Sequence, residues 1–264
     1  MLTLKGIRKT FNPGTVNEKV ALAGIDLHLA PGDFVTVIGG NGAGKSTMLN
    51  SIAGVFPVDS GTITLDGTDV TRLSEPARAR FLGRVFQDPM RGTATDMQID
   101  ENLALAARRG DRRGLAWGIT REEREQYRDA LATLGLGLET RLSDKVGLLS
   151  GGQRQALTLL MATLKKPDLL LLDEHTAALD PKTAAKVLQL TDEIVNEHKL
   201  TTLMVTHNMH DAIRMGNRLI MMSDGRIIYD VSGEEKANLH RADLMAKFEE
   251  ASGEELANDR MLLG

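Results

Sequence analysis

The chain reads as an α/β protein with a small helical subdomain inserted into a larger α/β body. Three observations predict it. The apolar run Phe34-Val35-Thr36-Val37-Ile38 enters the glycine-rich stretch Gly39-Gly40-Asn41-Gly42-Ala43-Gly44-Lys45-Ser46-Thr47, and a segment of helical spacing, Met48 to Ala53, follows. Leu169 to Leu172 is a continuous apolar run, the mark of a strand buried on both faces. Between these, from Asp88 to Gly147, the texture turns helical.

Taken in order, Leu2, Leu4 and Ile7, then Ile25, Leu27 and Leu29, alternate as half-buried strands do. Pro31-Gly32-Asp33 turns into the Phe34–Ile38 strand, and Gly54 and Pro57 stop the following helix. Thr62 to Leu65 with Asp66-Gly67 predicts a strand and a tight turn. Ser74 to Leu82 is expected to be helical, and Arg84-Val85-Phe86-Gln87 a short strand. Inside the insert, helices are expected over Ile99 to Arg109 and Thr120 to Leu134, joined by an Arg/Gly-rich link from Gly110 to Gly118, with Thr120 and Glu123 forming a capping box. Asp180-Pro181 starts a long helix to about His198, with proline in its first turn. Thr201 to Thr206 is the next strand, and Arg218 to Asp230 a hairpin about Asp224-Gly225. From Ser232 the chain is charged and helical. Leu239, Leu244, Met245 and Phe248 form one apolar stripe, read as a helix docked on its own body or as a dimer or regulatory contact.

Composition narrows the function. The chain has 264 residues, enough to bury a substantial core, and at 42% hydrophobic and 26% charged it is ordinary for a soluble globular protein. A net charge of −4 argues against a dedicated nucleic-acid binder, and 3% aromatics against a base-stacking platform. With no cysteine there is neither a disulfide framework nor a thiol metal site. Met1 to Lys5 lacks the apolar core of a signal peptide, and the longest apolar run, Ala156 to Leu164, is too short to cross a bilayer. Any membrane role is expected to come through a partner.

The chemistry starts at the glycines. Without a Cβ, successive backbone N–H groups can turn inward, and the helix opening at Lys45 aims its own N–H groups and positive dipole end at the same place. Such a loop cradles phosphates. Lys45 can reach the β/γ-phosphates and the Ser46 hydroxyl can ligate Mg²⁺. The bland alternative is a glycine-rich turn alone. Asp173 and Glu174 close the Leu169–Leu172 strand, at the carboxyl end where ligands of parallel sheets bind. Asp173 suits Mg²⁺ held through water, and Glu174 can take a proton from an attacking water. Leu149-Ser150-Gly151-Gly152-Gln153, before an apolar helix, is a second anion-binding helix start. One nucleotide does not need both helix starts from the same subunit.

At these residues the chain resembles the nucleotide-binding subunit of an ATP-binding cassette (ABC) transporter. Gly39 to Thr47 matches the Walker A loop, Gln87 the glutamine loop and Leu149 to Gln153 the signature motif. Leu169 to Glu174 matches Walker B with its catalytic glutamate, Ala178-Leu179-Asp180 the D-loop, and His207 the switch histidine. The resemblance implies a P-loop NTPase of the ABC type, with a RecA-like core, an antiparallel β subdomain and an inserted α-helical subdomain. Residues 1–230 would form the ATPase domain, with the helical subdomain at about 88–147, and 231–264 a C-terminal helical tail.

It further implies ATP and Mg²⁺ as cofactors, the metal on Ser46, Gln87 and, through water, Asp173. Lys45, Gln87, Glu174 and His207 would carry catalysis. Gly39, Asn41, Gly42, Ala43, Gly44, Lys45, Ser46, Thr47, Gln87 and Asp173 would bind ATP, with Phe11 stacking on adenine. Two subunits would sandwich two ATP molecules head to tail, Ser150, Gly151, Gly152 and Gln153 of one facing the nucleotide of the other. Further partners would be integral membrane permease subunits and a solute-binding protein, with no nucleic acid, at the cytoplasmic face of the membrane. Met90, Met97 and Ile99 are apolar candidates for receiving the permease. His175 stands where the family often has proline and carries no assigned role. The helix after the signature, Ala156 to Thr163, lacks the arginines many relatives carry, which makes the chain similar to stand-alone ATPase components of bacterial uptake systems. The expectation is an importer of a small solute such as an amino acid. The alternative is a non-transport ABC ATPase in cofactor assembly or cell-envelope signalling. The insert is too short for the coiled coil of DNA-repair relatives.

Overall fold

A computed structural model describes residues 1–111 and 118–252. Most of the Gly110–Gly118 link therefore lies outside the described residues. In chain order the elements are β1 (Leu2–Phe11), β2 (Lys19–Leu29), β3 (Phe34–Gly39), α1 (Lys45–Ala53), β4 (Ser60–Leu65), β5 (Thr68–Asp69), α2 (Glu75–Arg78) and β6 (Leu82–Val85). Then come α3 (Ile99–Ala107), α4 (Arg121–Ala132), α5 (Gly151–Leu164), β7 (Leu169–Asp173), α6 (Pro181–His198) and β8 (Thr202–Val205). The described residues close with α7 (Met209–Arg214), β9 (Arg218–Ser223), β10 (Arg226–Ser232), α8 (Gly233–Ala237) and α9 (Arg241–Ser252). They group into two compact units, Met1–Arg78 with the described residues from Lys199 on, and Ala79–His198.

In the first unit β1 lies between β2 and β4 in an antiparallel sheet. Leu2, Leu4 and Ile7 pair with Leu29, Leu27 and Ile25, so the alternation seen in the sequence faces one core. A second set of strands runs β10, β9, β3, β8, with β3 parallel to both of its neighbours and buried along its whole length. Thr36 survives there because its hydroxyl donates to the Ala212 carbonyl at 2.9 Å. The apolar stripe of the tail docks on this unit. Leu239, Leu244 and Phe248 are buried with Ile38, Leu219 and Met221, and Met245 packs alongside. Each of the larger side chains removed from water contributes about 2 kcal/mol. Lys236 is buried with them and its ammonium donates to the carbonyls of Ile213, Met215 and Gly216, closing the end of α7.

One expected helix is much shorter than its pattern. Only Glu75–Arg78 of the Ser74–Leu82 segment is helical, for two reasons. The Arg78 guanidinium turns inward and donates to the carbonyls of Ser51 (2.6 Å) and Ile52 (2.8 Å) at the end of α1, and to Thr71 and Leu73. Leu82 onward is drawn into a strand instead. The strand expected at Arg84–Gln87 is accordingly Leu82–Val85, in parallel register with Leu169–Leu172, which leaves Phe86 and Gln87 beyond its end.

The second unit holds α3 to α6 with the β6–β7 pair. Thr120 and Glu123 form the capping box, bonding each other's backbone N–H at 3.1 and 2.7 Å. Helix α5 buries Ala156, Leu157, Leu159 and Leu160, and the hydroxyls of Thr158 and Thr163 return to carbonyls of their own helix. Ile99, named above as a docking candidate, is instead fully buried in this core.

Candidate functional site

In the first unit β3 delivers the chain directly into the phosphate loop. At Gly39 the backbone is left-handed (φ 156°) and a Cβ would lie 2.3 Å from the Met222 carbonyl oxygen. At Gly44 (φ 100°) it would lie 2.5 Å from that of Ala21. Glycine is therefore required on two counts at each position. Gly44 begins α1 and has no side chain with which to cap it, and the positive dipole end of that helix favours an anion. Lys45 is only 5% exposed, and its ammonium folds over the loop to the carbonyls of Gly39 (2.6 Å) and Gly40 (3.1 Å). Ala43 is buried, Asn41, Gly42 and Ser46 are exposed, and Thr47 is half-buried.

A brace that the sequence reading missed holds this loop. Gly225 donates from its N–H to the Ala43 carbonyl and accepts from Ala23. The Asp224-Gly225 turn is visible in the sequence, but only as a hairpin; its contact with the loop depends on tertiary placement. His207 follows β8, which pairs with β3 from Phe34↔Thr202 to Val37↔Val205. The histidine and the phosphate loop thus occupy the carboxyl ends of adjacent parallel strands. Asn208 caps α7 directly behind it, accepting from His210 and Asp211. Phe11 ends β1, half-buried, with its ring edge-to-face with Phe56 at 5.3 Å. No sequence pattern marks Phe56 as the partner of Phe11.

The second unit repeats the arrangement with acids. The β6–β7 register sets exposed Gln87, just beyond β6, and the Asp173-Glu174 pair, which ends β7 and follows it, at the carboxyl ends of adjacent parallel strands. Arg84 lies 3.7 Å from the Asp173 carboxylate and over the Phe86 ring at 4.5 Å. Gln155, buried in α5, donates its amide to the Phe86 carbonyl at 3.1 Å. The helix that begins at the signature thereby grips the residue before Gln87, a tie that sequence spacing does not reveal.

Glu174 is 9% exposed and takes a left-handed backbone, φ 48°, uncommon for a residue with a Cβ. His175, at 1% exposed, is not on the surface. Its Nε2 lies 3.0 Å from Thr191 Oγ1 on α6, and that hydroxyl donates to the Val187 carbonyl at 2.9 Å. The single hydroxyl proton is thus committed, so Nε2 carries the proton of a neutral ring and donates it to Thr191. The opposite tautomer would lose one bond and bury an unmatched N–H, a difference of about 1–3 kcal/mol. Nδ1 has no hydrogen-bond partner among the described residues, and complete burial pushes the imidazole down to about 4.

Ser150, exposed, is the N-cap of α5. Its hydroxyl accepts from Gln153 N–H, and the Gln153 side chain returns to Ser150 N–H while its amide reaches the Leu136 carbonyl. Gly151 is exposed. Gly152 is buried, and a Cβ there would strike the Thr183 methyl at 2.1 Å, so this glycine lets α5 approach α6. Asp180 caps α6, accepting from the Thr183 N–H at 3.1 Å, and these hydrogen bonds to Thr183 hold its carboxyl below the usual range. Hydroxyl, amide and carboxylate oxygens on Ser46, Gln87 and Asp173 are the hard donors Mg²⁺ prefers. Among the described residues no group of three His, Cys, Asp or Glu is placed to hold a metal ion.

Glycine-cradled phosphate loop, strand-end acids and a capped signature helix define a nucleotide-hydrolysing cassette. The chain matches the ABC transporter family over residues 22–177 and belongs to that family. It is 45% identical over 256 residues to a tyrosine transport ATP-binding protein of Clostridioides difficile (strain R20291), covering 95% of this chain and all of that one. It is 39% identical to the lipoprotein-releasing system ATP-binding protein LolD 1 of Caulobacter vibrioides, over 88% of this chain and 96% of that one. Its fold aligns with the post-hydrolysis dimer of the cassette MJ0796 bound to ADP and Pi, with TM-score 0.75, 30% identity, and 88% and 98% of the two chains covered. The ADP form of MJ1267 aligns with TM-score 0.77, 27% identity, and 94% and 98% covered. The chain is an ABC-type ATPase that binds and hydrolyses ATP.

Proposed function

We propose that this ATPase powers a separate membrane permease for the uptake of a small solute such as an amino acid. The observation that carries the reading is the likeness to the tyrosine transport ATP-binding protein, which extends over the whole of that relative. Among the described residues no helix is long and apolar enough to cross a membrane. In this reading the motor acts on a membrane partner, as a peripheral subunit at the cytoplasmic face, within a system that includes a solute-binding protein.

Each residue has a role in this reading. Phe11 stacks on adenine. Gly39 to Thr47 wrap the phosphates, Lys45 neutralises the β/γ-phosphates, and Ser46, Gln87 and Asp173 hold Mg²⁺, Asp173 through water. Glu174 takes the proton of the attacking water while His207 bonds the γ-phosphate. Residues 1–230 act as the ATPase domain, with 88–147 as its helical subdomain and a C-terminal tail from 231 whose Leu239, Leu244 and Phe248 pack on the first unit. Two copies pair head to tail, Ser150 to Gln153 of one copy completing the site of the other with the D-loop at Asp180. Gln153 contributes by fixing the Ser150 cap, since its own side chain is already bonded. Met90, 49% exposed, and Leu148 are the apolar surface for the permease. Met97 is only half-buried, and Ile99 has no part in this surface.

The test is co-expression with the genomic neighbours, followed by solute-stimulated ATPase in proteoliposomes. A co-purified permease whose ATPase rises with an amino acid supports the reading; purification without any membrane protein removes it. The LolD relative favours a second reading, a lipid-linked cargo leaving the membrane, and that system would respond to lipoprotein and not to solute.

A further inference from the structure

The loop from Glu174 to Asp180 carries the proposed base at one end and the D-loop aspartate at the other, and hydrogen bonds shape it, among them one from the Leu179 N–H to the Thr176 carbonyl at 3.1 Å. The Ala177 N–H donates to the Glu174 carbonyl at 3.0 Å, the His175 ring donates to Thr191, and the Thr183 N–H donates to Asp180. Of these, only the His175 bond joins a side chain of the loop to a side chain in the middle of α6. It acts on the residue next to Glu174, whose left-handed backbone needs outside support.

We propose that His175 is a positioning residue for Glu174: through Thr191 it holds the first turn after β7 against α6 and so fixes where the carboxylate points. The imidazole suits the task. It is flat and fully enclosed, and its one donor is matched by a hydroxyl whose own proton is committed to Val187. The hydroxyl therefore acts as acceptor only, and the ring has one bonded orientation. A nearby displacement of a general base by about 1 Å is enough to cost ~100-fold in rate while leaving ground-state binding alone. This inference rests on the reading of Glu174 as the base.

The experiment measures ATP affinity and steady-state turnover on the full chain, with Glu174→Gln as reference. Thr191→Val removes the acceptor at nearly constant volume, and turnover is expected to fall about 10- to 100-fold with ATP affinity within about twofold. Thr191→Ser restores the hydroxyl and the rate. His175→Gln places an amide N–H at the reach of Nε2 and retains most of the rate. His175→Asn reaches only the Nδ1 position and loses it. If Thr191→Val and His175→Asn turn over like the parent while Glu174→Gln is inactive, the positioning role is overturned and the base assignment stands. If Glu174→Gln itself turns over at the parent rate, the base assignment falls and the inference with it. Should His175→Asn not fold, as seen by loss of a cooperative melt, the Thr191 pair alone decides.

Discussion

The loop between β3 and α1 and the loop between β7 and α6 both leave a buried parallel strand at its carboxyl end, yet they are built from different materials. In the first, backbone sets the shape: glycines at φ 156° and φ 100° let carbonyls of Met222 and Ala21 approach, and the Lys45 side chain lies against the loop's own carbonyls. In the second, side chains set the shape: Glu174 is strained, and His175, Asp180, Thr183 and Thr191 hold it. Backbone construction suits a ligand that is the same in every turnover, because N–H groups in fixed positions read phosphate directly. Side-chain construction suits a base whose aim must be held to a fraction of an ångström. The first should break when any atom is added, the second when hydrogen-bond chemistry changes at constant volume.

The largest effect is expected in the first loop. On the proposed reading Lys45→Ala removes the cation that meets the β/γ-phosphates, and ATP affinity measured by calorimetry should fall by about 10- to 100-fold or more, a charge-assisted hydrogen bond being worth ~1.5–3 kcal/mol. Unchanged affinity would mean the backbone alone holds the nucleotide. Gly44→Ala places a methyl 2.5 Å from the Ala21 carbonyl in a left-handed position, and urea unfolding should show a loss of about 2–4 kcal/mol. Gly67→Ala, also left-handed but with open space around it, is the control that isolates strain from collision and should cost about 1 kcal/mol.

The sequence disclosed these two loops unequally. The phosphate loop is legible because its signal is local: glycine spacing, a strand before and a helix after are all within neighbouring residues. Asp173 and Glu174 are legible from the Leu169–Leu172 run before them. His175 was not, since its partner is sixteen positions away on α6 and an isolated histidine has no pattern. Gln155 gripping Phe86 and Gly225 bracing Ala43 were hidden for the same reason. The overlong helix expected at Ser74–Leu82 shows the converse: local pattern favoured a helix, and Arg78 capping α1 together with the β6–β7 pairing overrode it.

Arg78 tests that override. Arg78→Met leaves several carbonyls at the end of α1 without their donor, and about 3 kcal/mol of stability should be lost while nucleotide chemistry is spared. A loss below about 0.5 kcal/mol would show that water replaces the guanidinium, as at exposed positions.

The smallest effect near neutral pH concerns His175. Folded, the ring stays neutral down to about pH 4, whereas an exposed histidine takes a proton near 6.5. Between these values the unfolded chain binds the extra proton, so stability is full above pH 6.5 and falls as the solution is acidified, by about 3 kcal/mol once pH 4 is reached. Urea unfolding without nucleotide or magnesium should show this slope in the parent and not in His175→Gln. Equal slopes in both would place the acid sensitivity elsewhere.

The division of labour between the loops is tested most directly by measuring ATP affinity and single-turnover hydrolysis of Glu174→Gln beside the parent. An amide cannot accept the proton of the attacking water, so the variant should bind ATP as the parent does and hydrolyse it about 10²- to 10⁴-fold more slowly. Hydrolysis at the parent rate would contradict the account, because the strand-end acid of the second loop would then have no part in the chemistry.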